Sequence, residues 1–212
     1  VEFGCRQAFL RILCAMRGLP YYEEPDYHKY LLSASRKEIF PPDALFSQVK
    51  WAGLLEILDF GMGNGYFIPA FYRHMEKGAR IWGAECQEVL IDAVLRMKAK
   101  ESLQNLIPFH TERTEHPLLP DWIPEMDLIL CSCVLSTFAD PALAVRGISR
   151  AMKPSSSIIV IDWERVEAPS GPELAQKVSQ ERMKFFMEDA GFKLVRNLKT
   201  NKYIYAFEMA RD

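Results

Sequence analysis

No excess of positive charge runs through this 212-residue chain: 26 Lys and Arg face 28 Asp and Glu, a formal net charge of −2. A surface that neutralises a run of phosphates needs such an excess, so nucleic acid is not expected as a partner. There is no apolar run of the roughly 18 residues that read as a membrane span. A disulfide framework is missing too. The five cysteines, Cys5, Cys14, Cys86, Cys131 and Cys133, are odd in number and scattered, which fits a reducing, cytoplasmic setting. Cys131-Ser132-Cys133 has no second pair or histidine cluster to complete a zinc site, so no metal is expected and burial on a strand accounts for the two thiols. Internal repeats and low-complexity tracts are absent. The opening VEFGCRQAFLRILCAMRG lacks serine and carries Glu2, which separates it from a transit peptide. The chain starts at Val1 rather than Met, so part of a native N-terminus is expected to precede it. What is present, 49% hydrophobic and 25% charged residues, can bury a core without metals or disulfides.

The pattern along the chain divides it in two. Residues 1–43 read as an N-terminal extension: a helix over 3–17, an aromatic polar stretch from Tyr21 to Tyr30, and a segment ending in Pro41-Pro42, which should block regular structure. Asp43 is placed to cap a helix over 44–50. Residues 44–212 then alternate strand and helix. Strands are expected over Leu54–Asp59, Ala79–Ala84, Leu106–Thr111, Met126–Cys133 and Ser157–Trp163, the last preceded by a turn at Lys153-Pro154 and three serines. Helices are expected over Phe67–Lys77, Gln87–Lys100, Pro141–Met152 and, as one long element, Glu173–Ala190. Phe192–Leu198 and Tyr203–Met209 read as a closing antiparallel pair. The fold class is α/β: a Rossmann-like, doubly wound, seven-stranded and mostly parallel sheet with helices on both faces. Such sheets bind ligands beyond the carboxyl ends of their strands.

Asp59-Phe60-Gly61-Met62-Gly63-Asn64-Gly65 stands at such an end. Glycines there permit a tight turn and close approach of a ligand to the backbone. A dinucleotide site requires G-x-G-x-x-G, whose third small residue lets helix and strand pack closely; here that position holds Tyr66. Asp59 would repel a pyrophosphate and attract an amino group and a sulfonium. The loop therefore suits S-adenosylmethionine (SAM), which has no phosphate, better than a nicotinamide dinucleotide. Glu85, ending the second strand, can accept hydrogen bonds from both ribose hydroxyls of either cofactor.

From about residue 36 the chain resembles the class I SAM-dependent methyltransferases. ILDFGMGNGYF is similar to their first motif and IWGAE to their acid-ending second strand. MDLILCSCVLSTFAD resembles the fourth strand and its loop, MKPSSSIIVIDW the turn and fifth strand, and ERMKFFMEDAGF the late helix. An R-x-x-x-F-x-P lead-in and the pair Ile161-Asp162-Trp163 and Gly171-Pro172 look like small-molecule methyltransferases of the ubiquinone and menaquinone type. The resemblance implies that Asp59, Gly61, Gly63 and Gly65 line the methionine part of SAM, with Phe60 also in the cofactor site, and Glu85 the ribose. It implies Cys86 and the Glu112-Arg113 segment beside the adenine, and Cys131 and Ser132 near the sulfonium. Such relatives often carry histidine after the fourth strand, where this chain has Ser136-Thr137.

Methyl transfer from SAM, leaving S-adenosylhomocysteine (SAH), needs a base only if the acceptor arrives protonated. Candidates are His28, Tyr30, Tyr66, Ser136, Asp162 and Glu164, none of them singled out by a motif. The aromatic extension is expected either to close as a lid over a small-molecule acceptor or simply to pack on the sheet. Two other readings stay open: a SAM-binding regulatory protein without catalysis, and an NAD(P)-dependent oxidoreductase.

Overall fold

The computed structural model describes Leu31 and residues 33–211. The expected helix over 3–17 and the candidates His28 and Tyr30 lie outside the described residues. Two short helices come first, α1 (Ala34–Ile39) and α2 (Pro42–Phe46). The alternating part follows: β1 (Glu56–Phe60), α3 (Ile68–His74), β2 (Arg80–Glu85), α4 (Glu88–Glu101), β3 (Leu106–His110), β4 (Met126–Ser132), α5 (Pro141–Ile148) and β5 (Met152–Trp163). The chain closes with α6 (Gln180–Asp189), β6 (Lys193–Asn197) and β7 (Ile204–Ala210). One seven-stranded sheet holds them in the order β3-β2-β1-β4-β5-β7-β6. β1 pairs in parallel with β2 and β4, and β2 with β3 and β4 with β5 likewise; β7 runs antiparallel between β5 and β6.

β1 is buried at every position, as a central parallel strand covered on both faces must be. One face packs Ile57, Ile81 and Leu130 against α1–α4, and the other packs Leu58, Ile129 and Val160 against α5 and α6. Ile39 and Phe40 belong to the first of these cores, with the Phe40 ring set edge-on to Trp163 at 4.9 Å. The end of the expected extension is thus core of the sheet domain.

Several local expectations change. Pro41-Pro42 does not block a helix, because Pro42 takes the first helical position of α2, where no amide hydrogen is needed. Asp43 sits inside that first turn instead of capping it and pairs with Arg73 (Nε–Oδ1 2.7 Å). The single helix expected over Glu173–Ala190 is broken. A 3-10 turn over Leu174–Gln176 closes on a capping box between Glu173 and Gln176, and Ser179 caps α6 afresh. Between them Lys177 lies over Trp163 and gives its ammonium to the Val166 carbonyl at 2.7 Å. The turn expected at residues 153–156 is a bulge within β5: Met152 pairs with Met126, and the next pairing is Ser157 with Leu128.

Asp127 ties the start of β1 to β4 and β5. It accepts from the Leu55 and Glu56 amides, both at 2.9 Å, and from Lys153 Nζ at 2.7 Å. Burial alone would raise its pKa; Lys153 and the two amides outweigh it and hold the carboxyl below 3.8. Its stabilisation is present above that value and disappears as pH falls through the lower folded-state value. Asp127→Ala should cost about 1–3 kcal/mol at pH 7, with the difference from the parent narrowing below pH of about 4. Urea midpoints at a series of pH values check this, and a pH-independent difference would contradict it.

Candidate active site

A cavity of about 110 Å³ opens at the carboxyl ends of β1, β2 and β4. Phe60, Gly61, Gly63, Glu85, Cys86, Glu112, Arg113 and Ser132 all line it, which brings together most of the residues named from the sequence. Asp59, Gly65 and Cys131 stand behind the lining. Asp59 is 1% exposed. Cys131 is fully buried, and burial holds its thiol well above the ordinary value.

The three glycines have different jobs. Gly61 has φ +74°, and a Cβ there would lie 2.7 Å from Val134 Cγ2. Gly63 has φ +57° but faces only Leu31, at 3.6 Å. Gly65, at φ +82°, lies against Met97, Ile68 and Val94, so its smallness serves the contact between the loop and α4.

Glu85 joins the loop to the end of β2. Oε2 accepts the Gly63 amide at 2.9 Å, and Oε1 accepts the Cys86 and Gln87 amides at 2.8 and 3.1 Å. A phosphate-binding loop turns such amides toward an anion; here the Gly63 amide is already given to a carboxylate of the protein. Asp59 adds a second carboxylate beneath the loop. Burial, then the nearby Glu85 charge, pushes its pKa up to about 7 against the opposing pull of Arg36, and its Oδ2 has no partner among the described residues. Burial and the Glu85 charge also push the Cys86 thiol up to about 11.

Arg36 was not legible as a site residue. It comes from α1, is 8% exposed, and lines the cavity with Leu31. Its guanidinium lies 4.2 Å from the centre of the Tyr66 ring and donates to the Leu31 carbonyl at 3.2 Å. Met62, Val134, Thr137 and Phe138, which lie within the glycine loop and the fourth-strand motif, also line the cavity, though none of them was named as a cofactor contact; Phe138 stacks on Phe60 at 6.4 Å.

The candidate bases fare differently. Tyr66 is not part of the lining; its hydroxyl donates to the Phe40 carbonyl at 2.7 Å and belongs to the core. Its bulk is accommodated because the loop directs it away from the cavity and under Arg36. Asp162 is buried, accepts from the Trp163 amide at 2.7 Å and is hydrogen-bonded by Ser136 through side chain and backbone. Burial raises its pKa to about 6 despite those bonds. Ser136 faces a second cavity of about 200 Å³, which shares Phe138 with the first. Glu164 lines neither cavity and accepts from the Arg165 amide.

No group of three or more His, Cys, Asp or Glu among the described residues could hold a metal ion. No helix among them is long and apolar enough to cross a membrane.

Solved structures share this arrangement. A SAM-dependent methyltransferase from Aquifex aeolicus superposes with a TM-score of 0.78 at 22% identity, over 88% of this chain and 97% of its own. The mitomycin 7-O-methyltransferase gives 0.70 at 19% identity, over 90% of this chain and 59% of its own. Human N-acetylserotonin methyltransferase, in complex with SAM, gives 0.67 at 17%, over 90% and 57%. This chain therefore spans somewhat over half the length of the last two. At these identities the likeness is one of fold. No curated protein sequence matches the chain. A family model described as a methyltransferase domain matches residues 53–208, which take in β1 to β6, most of β7 and all of the cavity lining but Leu31 and Arg36, and the chain belongs to that family.

Proposed function

We propose that this chain transfers a methyl group from SAM to a small-molecule acceptor. The observation that carries the reading is the Gly63 amide, bonded to Glu85 and withheld from any phosphate, above a second buried carboxylate, Asp59. A dinucleotide would bring its pyrophosphate against those two acids; SAM brings an ammonium, a sulfonium and a ribose. Glu85 keeps lone pairs for the ribose hydroxyls, since each carboxylate oxygen accepts more than one bond. Phe60, Phe138 and Leu90 offer an apolar wall for the adenine, with Glu112 at its edge.

Bound SAM supplies an activated methyl group whose departure leaves a neutral thioether. The residues around it contribute alignment and exclusion of water. Burial raises both cavity thiols, Cys86 and Cys133, so they stay protonated at neutral pH and neither acts as a base. The named acceptors of two structural neighbours, mitomycin and N-acetylserotonin, support a small organic molecule. The charge balance gives no support to a nucleic acid, and free thiols among the described cysteines suit a cytoplasmic setting.

Titration calorimetry with SAM, SAH and NAD tests the cofactor. SAM and SAH should bind and NAD should not; binding of NAD alone would reverse the assignment. A turnover screen with labelled SAM over phenols, quinone precursors, amines and thiols tests the reaction, and SAH should be released only with an acceptor present.

A further inference from the structure

The cavity of about 200 Å³ beside Ser136 takes no part in cofactor binding, and the charge of its lining is of one sign. Arg165, Lys177 and Arg182 face it, and no Asp or Glu does. In a chain whose formal net charge is −2, this is a local concentration of cations. Among the described residues neither Arg165 nor Arg182 enters an ion pair; the Arg182 guanidinium lies 5.5 Å from the centre of the Phe186 ring. Lys177 is 6% exposed, and its hydrogen bond to Val166 engages a neutral carbonyl. Glu167 is near enough to act on Lys177 but stands outside the lining. The place in the fold sharpens the imbalance. Ser179 caps α6, Arg182 sits in its first turn, and Lys177 lies two residues before the cap. A helix start is the positive end of the helix dipole and favours anions, so cations gathered there repel it. Glu181 in the same turn offsets part of this from outside the cavity. A negative group within the hollow would relieve all three cations at once.

We propose that this cavity holds the anionic group, a carboxylate or a phosphate ester, of the small organic molecule that accepts the methyl group. The proposal rests on the methyl-transfer reading and names a substrate class for it. Two features join the cavity to the cofactor site. Phe138 lines both cavities, so a molecule anchored in one is adjacent to the other. Ser136, held by Asp162, belongs to the same loop after β4 that gives Val134 and Thr137 to the first cavity. A guanidinium can take an oxyanion through two parallel N–H groups, and an ammonium adds a point charge. The acceptor is thereby oriented by its charged end, which leaves the rest of the molecule to extend past Phe138.

The test uses the full chain saturated with SAH and three aromatic probes in calorimetry: benzoate, phenyl phosphate and the neutral benzamide. At least one of the two anions should bind about tenfold or more tightly than benzamide, with the difference shrinking as salt is added. The tighter anion distinguishes a carboxylate from a phosphate ester. Arg165→Gln combined with Arg182→Gln should weaken that anion about tenfold or more. Benzamide and SAH should stay within about twofold of the parent, since neither depends on these charges. Both arginines are exposed, and retained SAH binding shows that the variant is folded. If the double variant loses SAH, each single variant is compared in the same way. Equal affinity of the parent for benzamide and both anions would overturn the proposal; so would anion binding that the arginine variants retain in full. In turnover with labelled SAM, acidic acceptors should exceed their matching amides about tenfold or more in kcat/KM, an advantage lost through KM in the double variant. A preference for the neutral acceptor would count against the anion site. A parent that does not bind SAH would remove the SAM reading itself, and this is distinct from a parent that binds SAH and shows no preference for anions.

Discussion

Glu85→Ala should abolish measurable SAM binding at micromolar protein and lower the unfolding midpoint at the same time. Three backbone amides, of Gly63, Cys86 and Gln87, end on this one carboxylate, so its removal leaves the loop and the end of β2 unjoined. Each such bond to a charged acceptor is worth about 1.5–3 kcal/mol, and their sum is not additive. A net loss of about 2–4 kcal/mol in stability is expected, with at least a hundredfold loss of cofactor affinity because the proposed ribose acceptor goes with it. Glu85→Gln is nearly as damaging. A carboxylate accepts on both oxygens, whereas a carboxamide must turn its NH₂ toward one of the amide donors. Thermal unfolding and calorimetry on both variants check the result. A Gln variant that bound SAM like the parent would mean that Glu85 supports the loop by shape alone.

Gly61→Ala should be far more destabilising than the same substitution at Gly63. The position has φ +74°, where an L side chain costs about 1–2 kcal/mol. The new Cβ would stand 2.7 Å from Val134 Cγ2 and 3.0 Å from Val134 Cβ. Valine is stiff about χ1 and cannot swing clear, so the loop after β4 must shift. The total expected is about 3–4 kcal/mol, the backbone strain plus a moderate overpacking cost. Gly63→Ala shares the positive φ but meets only Leu31 at 3.6 Å, so it should cost about 1–2 kcal/mol, the backbone strain alone. Denaturant midpoints of the two variants give the comparison directly, and equal losses would contradict the part assigned to Val134. Gly61→Ala combined with Val134→Ala should recover part of the loss, since the clash partner is then removed.

Much of the architecture was readable before any coordinates. β1, β2 and β4 were announced by short, largely apolar runs ending in glycine, acid or turn residues, because central strands covered on both faces are mostly apolar. The antiparallel closing pair was equally plain. Less legible were elements whose ends depend on capping or on contacts far away in the chain. The break between Glu173 and Ser179 is one: the residues there are acceptable helix formers, and in the fold Lys177 lies over Trp163 of β5 and donates to the Val166 carbonyl. The first position of α2 is another, where Pro42 read as a barrier and acts as a start.

The candidate site divides in the same way. The amino-acid sequence by itself determined the glycine loop, the acid at the end of β2 and the segments after β3 and β4, since these follow from position along successive βα units. It also placed Asp59 two residues ahead of Gly61 and Tyr66 where a dinucleotide loop wants a small residue. Only the tertiary structure decided what those side chains do. Glu85 turned out to hold the loop's own amide, Tyr66 to point into the core, and Asp162 to lie beneath Ser136 away from the lining of the first cavity. Arg36 had no place in the site until folding buried its guanidinium against the Tyr66 ring at the cavity wall. The physical reason is one of range. Strand and helix periods and turn chemistry are set by neighbours a few residues apart, whereas burial, charge pairing and the walls of a cavity are set by elements that meet only when the sheet closes.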